Sequence, residues 1–196
     1  TNSVLILLNH SLEMLSKSVL MQENYDIRKD NGHTIDFSKC ITTLENGTHD
    51  QPNLSKLSEP QAQTLRKINF FRNEATHGNI DIGEQLLYAL SKSGVTLADE
   101  LLSIGYDENL QDHIPSRVLP ISAMPLKHLD IIFEEEKDQI EKLLEAGQKE
   151  RAKAKTRSLE IASREDDEDE GSPADHDIDS KLEQIQAGDD LQEIFS

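Results

Sequence analysis

The sequence predicts an all-α fold, a helical bundle of about five helices followed by an acidic C-terminal tail. Three observations predict it. Apolar residues recur at alternating three- and four-residue steps in the long segments, as on one face of a helix. No stretch of any length alternates apolar and polar residues as a half-buried strand does. Capping residues and glycines stand where the apolar runs begin and end.

Leu5, Leu8, Leu12, Leu15 and Val19 place one apolar stripe on a first helix, over residues 2 to about 23. Leu7, Met14 and Met21 are expected to widen that stripe, as in a helix well inside a bundle. His10, Glu13 and Lys17 fall together on a different side, at i, i+3 and i+7. Residues 24–35 are polar and contain Asn31-Gly32, a turn signal. Asp36 is placed to cap a short helix through Phe37, Cys40, Ile41 and Leu44, stopped near Asn46-Gly47. Residues 48–57 read as loop.

Ser58-Glu59-Pro60-Gln61 opens the next helix, with serine as N-cap, proline in the first turn and glutamine at the capping-box position. It carries Leu65, Ile68, Phe71 and Ala75 inward and meets Gly78 just after His77. A fourth helical region spans residues 82 to about 104, with a break or bend near Ser93-Gly94. Pro115, Pro120 and Pro125 make residues 105–125 an irregular crossing. Leu126, Leu129, Ile132, Phe133, Ile140, Leu143 and Leu144 mark a long final helix.

Residues 1–150 therefore read as one helical domain, and 151–196 as a charged extension and acidic tail. Residues 148–157 are expected to carry the last helix into solvent. The run from Glu165 to Glu170 is expected to be disordered by self-repulsion. Ile178, Leu182, Ile185, Leu191, Ile194 and Phe195 suit one weak amphipathic helix that docks on a protein partner or folds back.

Charge restricts function. The chain carries 20 Lys and Arg against 38 Asp and Glu, a net of −18. Such a surface repels polyanions, because nucleic-acid affinity comes largely from neutralising phosphates. Any role on RNA must rest on a local site. Cys40 is the single cysteine, so an internal disulfide and a thiolate metal cluster are both excluded. The longest apolar run, Val4 to Leu8, is far shorter than a membrane span, so no membrane association and a cytoplasmic setting are expected.

One segment carries chemistry: Arg72-Asn73-Glu74-Ala75-Thr76-His77. On a helix, Asn69, Asn73 and His77 form a polar ladder at four-residue steps, and Arg72 lies between that ladder and the apolar stripe. Arginine at the edge of a buried stripe is costly unless its guanidinium is paired. Read from geometry alone, Arg72 either salt-bridges a core-edge carboxylate or belongs to a site. His10, Glu13 and Lys17 form a second cluster, either a solvated face with an i, i+4 ion pair or a substrate-binding group. His33, His49, His113, His128 and His176 lack the spacing and carboxylate context for metal ligation, and neither a metal nor another cofactor is expected.

Arg72, Asn73 and His77 at the end of a helix resemble the Arg-x4–6-His motif of the HEPN superfamily (higher eukaryotes and prokaryotes nucleotide-binding). The chain is similar, more closely, to a bacterial domain of unknown function linked with that superfamily. The likeness rests on residues 10–17, 72–77 and 117–122 and spans roughly residues 1–150. It implies a HEPN-like bundle and metal-independent RNA cleavage by a homodimer whose two motif copies face each other in a composite active site. It further implies a setting in bacterial defence or a toxin–antitoxin-like stress response. Arg72, Asn73 and His77 would then be catalytic, with Asn69, Lys17, Glu13 and His10 binding substrate. Imidazole titrates near neutral pH and suits proton transfer from a 2′-hydroxyl, while arginine binds phosphate oxygens bidentately. Which group acts as base stays open. Two other functions fit the same residues: a non-catalytic HEPN module for RNA or nucleotide binding or dimerisation, and a helical protein-interaction domain.

Overall fold

The computed structural model is all-helical and describes residues 2–77, 80–115, 129–164, 172–189 and 194–195. The helices are α1 (Asn2–Gln22), α2 (Phe37–Asn46), α3 (Glu59–His77), α4 (Glu84–Tyr106), α5 (Leu110–His113), α6 (Leu129–Glu145), α7 (Lys149–Ser163) and α8 (Asp175–Ala187). A 3-10 turn at Pro52–Leu54 interrupts the loop after α2. Among the described residues the only β pairing is an isolated bridge between Arg28 and Thr34. The chain forms two compact units. One comprises Ser3–Phe70 and Leu90–Met124, the other Thr1–Asn2, Phe71–Ala89 and Pro125–Ser196.

In the first unit, α1 buries Leu5, Leu12, Val19 and Leu20. Tyr25 N–H donates to Leu20 O and Asn24 N–H to Met21 O, so α1 ends in a Schellman turn with Asn24 left-handed. Leu7, Met14 and Met21 do not widen the buried stripe. They are exposed. At about 100° per residue they lie nearly opposite Leu5, Leu12 and Val19, so the helix is apolar on two faces and buries one. Over Ser3–Gln22 its mean hydropathy is 1.3, which with its length makes it apolar enough to cross a membrane, although 39% of that window is buried in the protein. Its longest uninterrupted apolar run understates this property.

Gly94 does not interrupt α4, which is continuous across it. A Cβ there would lie 2.7 Å from Leu8 Cδ2, and one at Gly105 would lie 2.8 Å from Val19 Cγ2. Leu8 and Val19 have the same eleven-residue spacing as Gly94 and Gly105, so α1 and α4 run parallel with two glycines receiving two α1 side chains. Tyr106 and Ser18 hydrogen-bond at the end of this contact.

Asp36 is the N-cap of α2, its carboxylate accepting from Lys39 N–H at 2.9 Å. That bond holds the Asp36 carboxyl below its ordinary value, with Lys29 assisting. Its stabilisation is present above the unfolded-state pKa and disappears as pH falls through the lowered folded value. Asp36→Ala is therefore expected to cost about 1 kcal/mol at neutral pH and less in acid, measured by urea unfolding at both. Cys40, one turn on, is fully buried, and burial pushes its thiol up to about 12. It should resist alkylation at pH 8 in the folded chain and react fully in denaturant, as mass spectrometry would show.

The second unit holds α6, α7 and α8, packed pairwise. Gly147 takes a left-handed conformation, Gln148 N–H bonds to Leu143 O, and Gly147 N–H bonds to Leu144 O. This Schellman turn stops α6 and starts a separate helix, so the charged stretch after residue 148 does not continue α6 into solvent. Instead α7 buries Ala152, Lys155, Thr156, Ser158, Leu159 and Ile161. Ile178, Leu182 and Ile185 of α8 join Ile140, Leu159 and Ile194 in one apolar cluster. The amphipathic C-terminal segment is thus folded back. Arg157 to Asp175, Lys153 to Asp179 and Lys181 to Glu160 tie α7 to α8. The acidic run from Glu165 to Glu170, and residues 116–128 with two of the three prolines, lie outside the described residues.

Within that unit, Lys155 Nζ lies 2.6 Å from Glu136 Oε2 with both side chains almost wholly buried. Gly83 sits directly over this pair, since a Cβ there would fall 1.8 Å from Glu136 Oε1. Asp81 N–H donates to Ala154 O and its carboxylate pairs with Arg151. The segment before α4 is therefore held to α6 and α7 by backbone and side-chain contacts.

Candidate functional site

The site is built on the last turns of α3. Gln61 Oε1 accepts from both the N–H and the hydroxyl of Ser58, so the start of the helix is closed by the two residues the sequence marks. Further along, Phe71 and Ala75 are buried and fix the rotation of the final turns. Arg72 is half-buried, and Asn73 and His77 are exposed. His77 is the last residue of the helix.

Arg72 Nη1 donates to Asn73 Oδ1 at 2.9 Å. Its Nε is buried and has no hydrogen-bond partner among the described residues. A buried donor left unmatched costs free energy, and more when the group is charged. The Asn73 amide oxygen thus orients the guanidinium, whose Nε is closed to solvent. Asn73 and His77, one turn apart, present an amide and an imidazole to solvent on the same face.

Glu74, which sequence reasoning passed over, is buried and accepts from Ser172 Oγ at 2.9 Å. A carboxylate two residues from Arg72 reads in the sequence as helix surface. Its place against a residue nearly a hundred positions later has no sequence signal.

Asn69 donates to Ser38 Oγ at 3.4 Å, a long bond toward α2. Asn69, His10, Glu13 and Lys17 belong to the first compact unit, whereas Arg72, Asn73 and His77 belong to the second. Lys17 is buried, with Nζ 2.6 Å from Glu13 Oε1 and 3.0 Å from Thr34 Oγ1. Its charge is engaged in holding the loop after α1, so the i, i+4 ion pair is present, but with Lys17 buried and not on a solvated face. His10 is exposed. Among the described residues no group of three or more His, Cys, Asp or Glu is arranged to hold a metal ion.

Compared with known proteins, the chain matches no family model, no curated protein and no solved structure.

Proposed function

We propose that this protein is a metal-independent endoribonuclease of the HEPN type, with a HEPN-like bundle around α3. The observation that carries the reading is the Arg72 guanidinium, oriented by Asn73, which itself lies one helical turn before an exposed His77. In the reaction a 2′-oxygen forms a bond to phosphorus, the bond from phosphorus to the 5′-oxygen breaks, and the leaving oxygen takes a proton. Arg72 binds the phosphate oxygens and stabilises the charge that develops on them. His77 transfers a proton, and Asn73 keeps the guanidinium in register. Two copies of the motif, one per subunit, supply the base and the acid. No step requires a cofactor.

The net charge of −18 favours a second reading, a non-catalytic module that binds RNA or a nucleotide at this site alone. Incubation with tRNA and mixed single-stranded RNA in EDTA separates the two. The enzyme reading expects cleavage that disappears in both Arg72→Ala and His77→Ala. Retained binding without cleavage supports the second, and cleavage that survives both substitutions contradicts each.

A further inference from the structure

Between Arg72 and His77 the motif carries one buried acid. Glu74 is 8% exposed, and its Oε2 accepts from the Ser172 hydroxyl at 2.9 Å. A carboxylate taken out of water is costly unless donors replace that water, so this hydroxyl is part of what holds Glu74 in place. Ser172 is exposed, yet its position is set from the other side. It stands one residue before Pro173, which is buried, and three before α8. A residue before proline is confined to extended backbone, and Ile178, Leu182 and Ile185 hold α8 in the apolar cluster. A second attachment lies beyond His77. Ile80 and Ile82 are buried, and Asp81 between them donates its N–H to Ala154 O at 3.3 Å and pairs with Arg151 at 3.1 Å. His77 therefore stands three residues after one attachment and four before the next, and both are made to residues beyond position 150.

We infer that Ser172 and Glu74 are positioning residues of the proposed site: the hydroxyl fixes Glu74, and Glu74 fixes the turn of α3 that carries Arg72, Asn73 and His77. What those three residues do rests on the ribonuclease reading; how they are held rests on the contacts alone. Glu74 is two residues after Arg72 and three before His77, so a shift at Glu74 moves guanidinium and imidazole together. His77 is the final residue of α3, and helix ends fray unless something outside the helix holds them. Were the contact only packing, an apolar side chain at position 74 would serve better, since it avoids the cost of burying a carboxylate. A hydroxyl bonded to a carboxylate is directional, so it sets the rotation of the turn as well as its place. Rotation matters here, because a misplacement of about 1 Å can cost on the order of 10²-fold in rate. The segment after α7 is in this way a working part of the site, and its hold can be broken without altering any group that meets RNA.

The test uses the full chain. Ser172→Ala removes the hydroxyl, Ser172→Thr keeps one, and Ser172→Asp sets a second carboxylate against Glu74. Hydrogen–deuterium exchange without RNA should show the amides of residues 73–77 exchanging about fivefold faster in Ser172→Ala, faster still in Ser172→Asp, and as in the wild type in Ser172→Thr. Because Ser172 is exposed, the melting temperature of the alanine and threonine variants should match the wild type. On RNA, Ser172→Ala should lower kcat about tenfold and leave KM within about twofold, with Ser172→Thr restoring kcat. Wild-type exchange at residues 73–77 in Ser172→Ala would overturn the inference. So would cleavage by Ser172→Ala at the wild-type rate, or a loss of cleavage that tracks a fall in melting temperature and is not restored by threonine. A wild type that cuts no RNA would sink the ribonuclease reading instead, and the exchange result would still decide whether Ser172 holds the motif.

Discussion

Arg72→Ala is expected to lower RNA cleavage by a factor of about 10² to 10³, the usual consequence of removing a donor that stabilises charge in the transition state. The loss should appear in kcat as well as kcat/KM, because the guanidinium gains most as charge develops on the phosphoryl oxygens. Arg72→Lys should recover little. Lysine keeps the charge but has no planar fork, so it cannot donate to Asn73 Oδ1 and to a phosphate in the same geometry. His77→Ala should cost about 10² to 10⁴ through loss of proton transfer. Since His77 is exposed, its removal should leave the melting temperature unchanged, which separates a chemical role from a structural one. A fall in melting temperature that accounts for the lost activity would assign the residue to the fold instead.

Breaking the buried pair of Glu136 and Lys155 should destabilise the protein by about 3–5 kcal/mol, because each single change leaves its partner charged and dry. Lys155→Met and Glu136→Leu are the informative variants. Made together they should restore most of the loss, since an apolar pair of similar volume avoids the desolvation penalty. Gly83→Ala should act on the same pair without touching either charge. Its methyl would overlap the Glu136 carboxylate and displace it from Lys155. Denaturant unfolding of the four variants checks this. Single-variant losses below about 1 kcal/mol, the range of exposed ion pairs, would contradict the burial described.

Local chemistry was legible in the sequence where a few adjacent residues decide the outcome. Asp36 caps α2 and Gln61 closes the start of α3 because the bonds run between residues three apart. Long-range contacts were not legible. Gly94 reads as a helix breaker, yet it receives the Leu8 side chain from a helix more than eighty residues earlier. The run from Gln148 to Arg157 reads as solvated, since nothing in it announces that Glu136 will neutralise Lys155. Yet Ala152, Ser158, Leu159 and Ile161 of that helix are buried too.

Leu7, Met14 and Met21 teach the converse. Their apolar character suggests a deep core position, but their phase on the helix turns them away from Leu5 and Leu12, and phase decides. In the motif itself, spacing placed Asn73 and His77 on one face correctly. It did not reveal that Arg72 would be oriented by its own neighbour, nor that Lys17 would be buried against Thr34.

The most direct measurement is cleavage, in EDTA, of a short RNA and of the same strand with 2′-deoxyribose at the cut position. The account predicts cleavage of the RNA to a 2′,3′-cyclic phosphate and a 5′-hydroxyl, none at the 2′-deoxy linkage, and none by His77→Ala on either strand. An intact RNA after incubation with the wild-type chain, or cutting at the 2′-deoxy linkage, would contradict it.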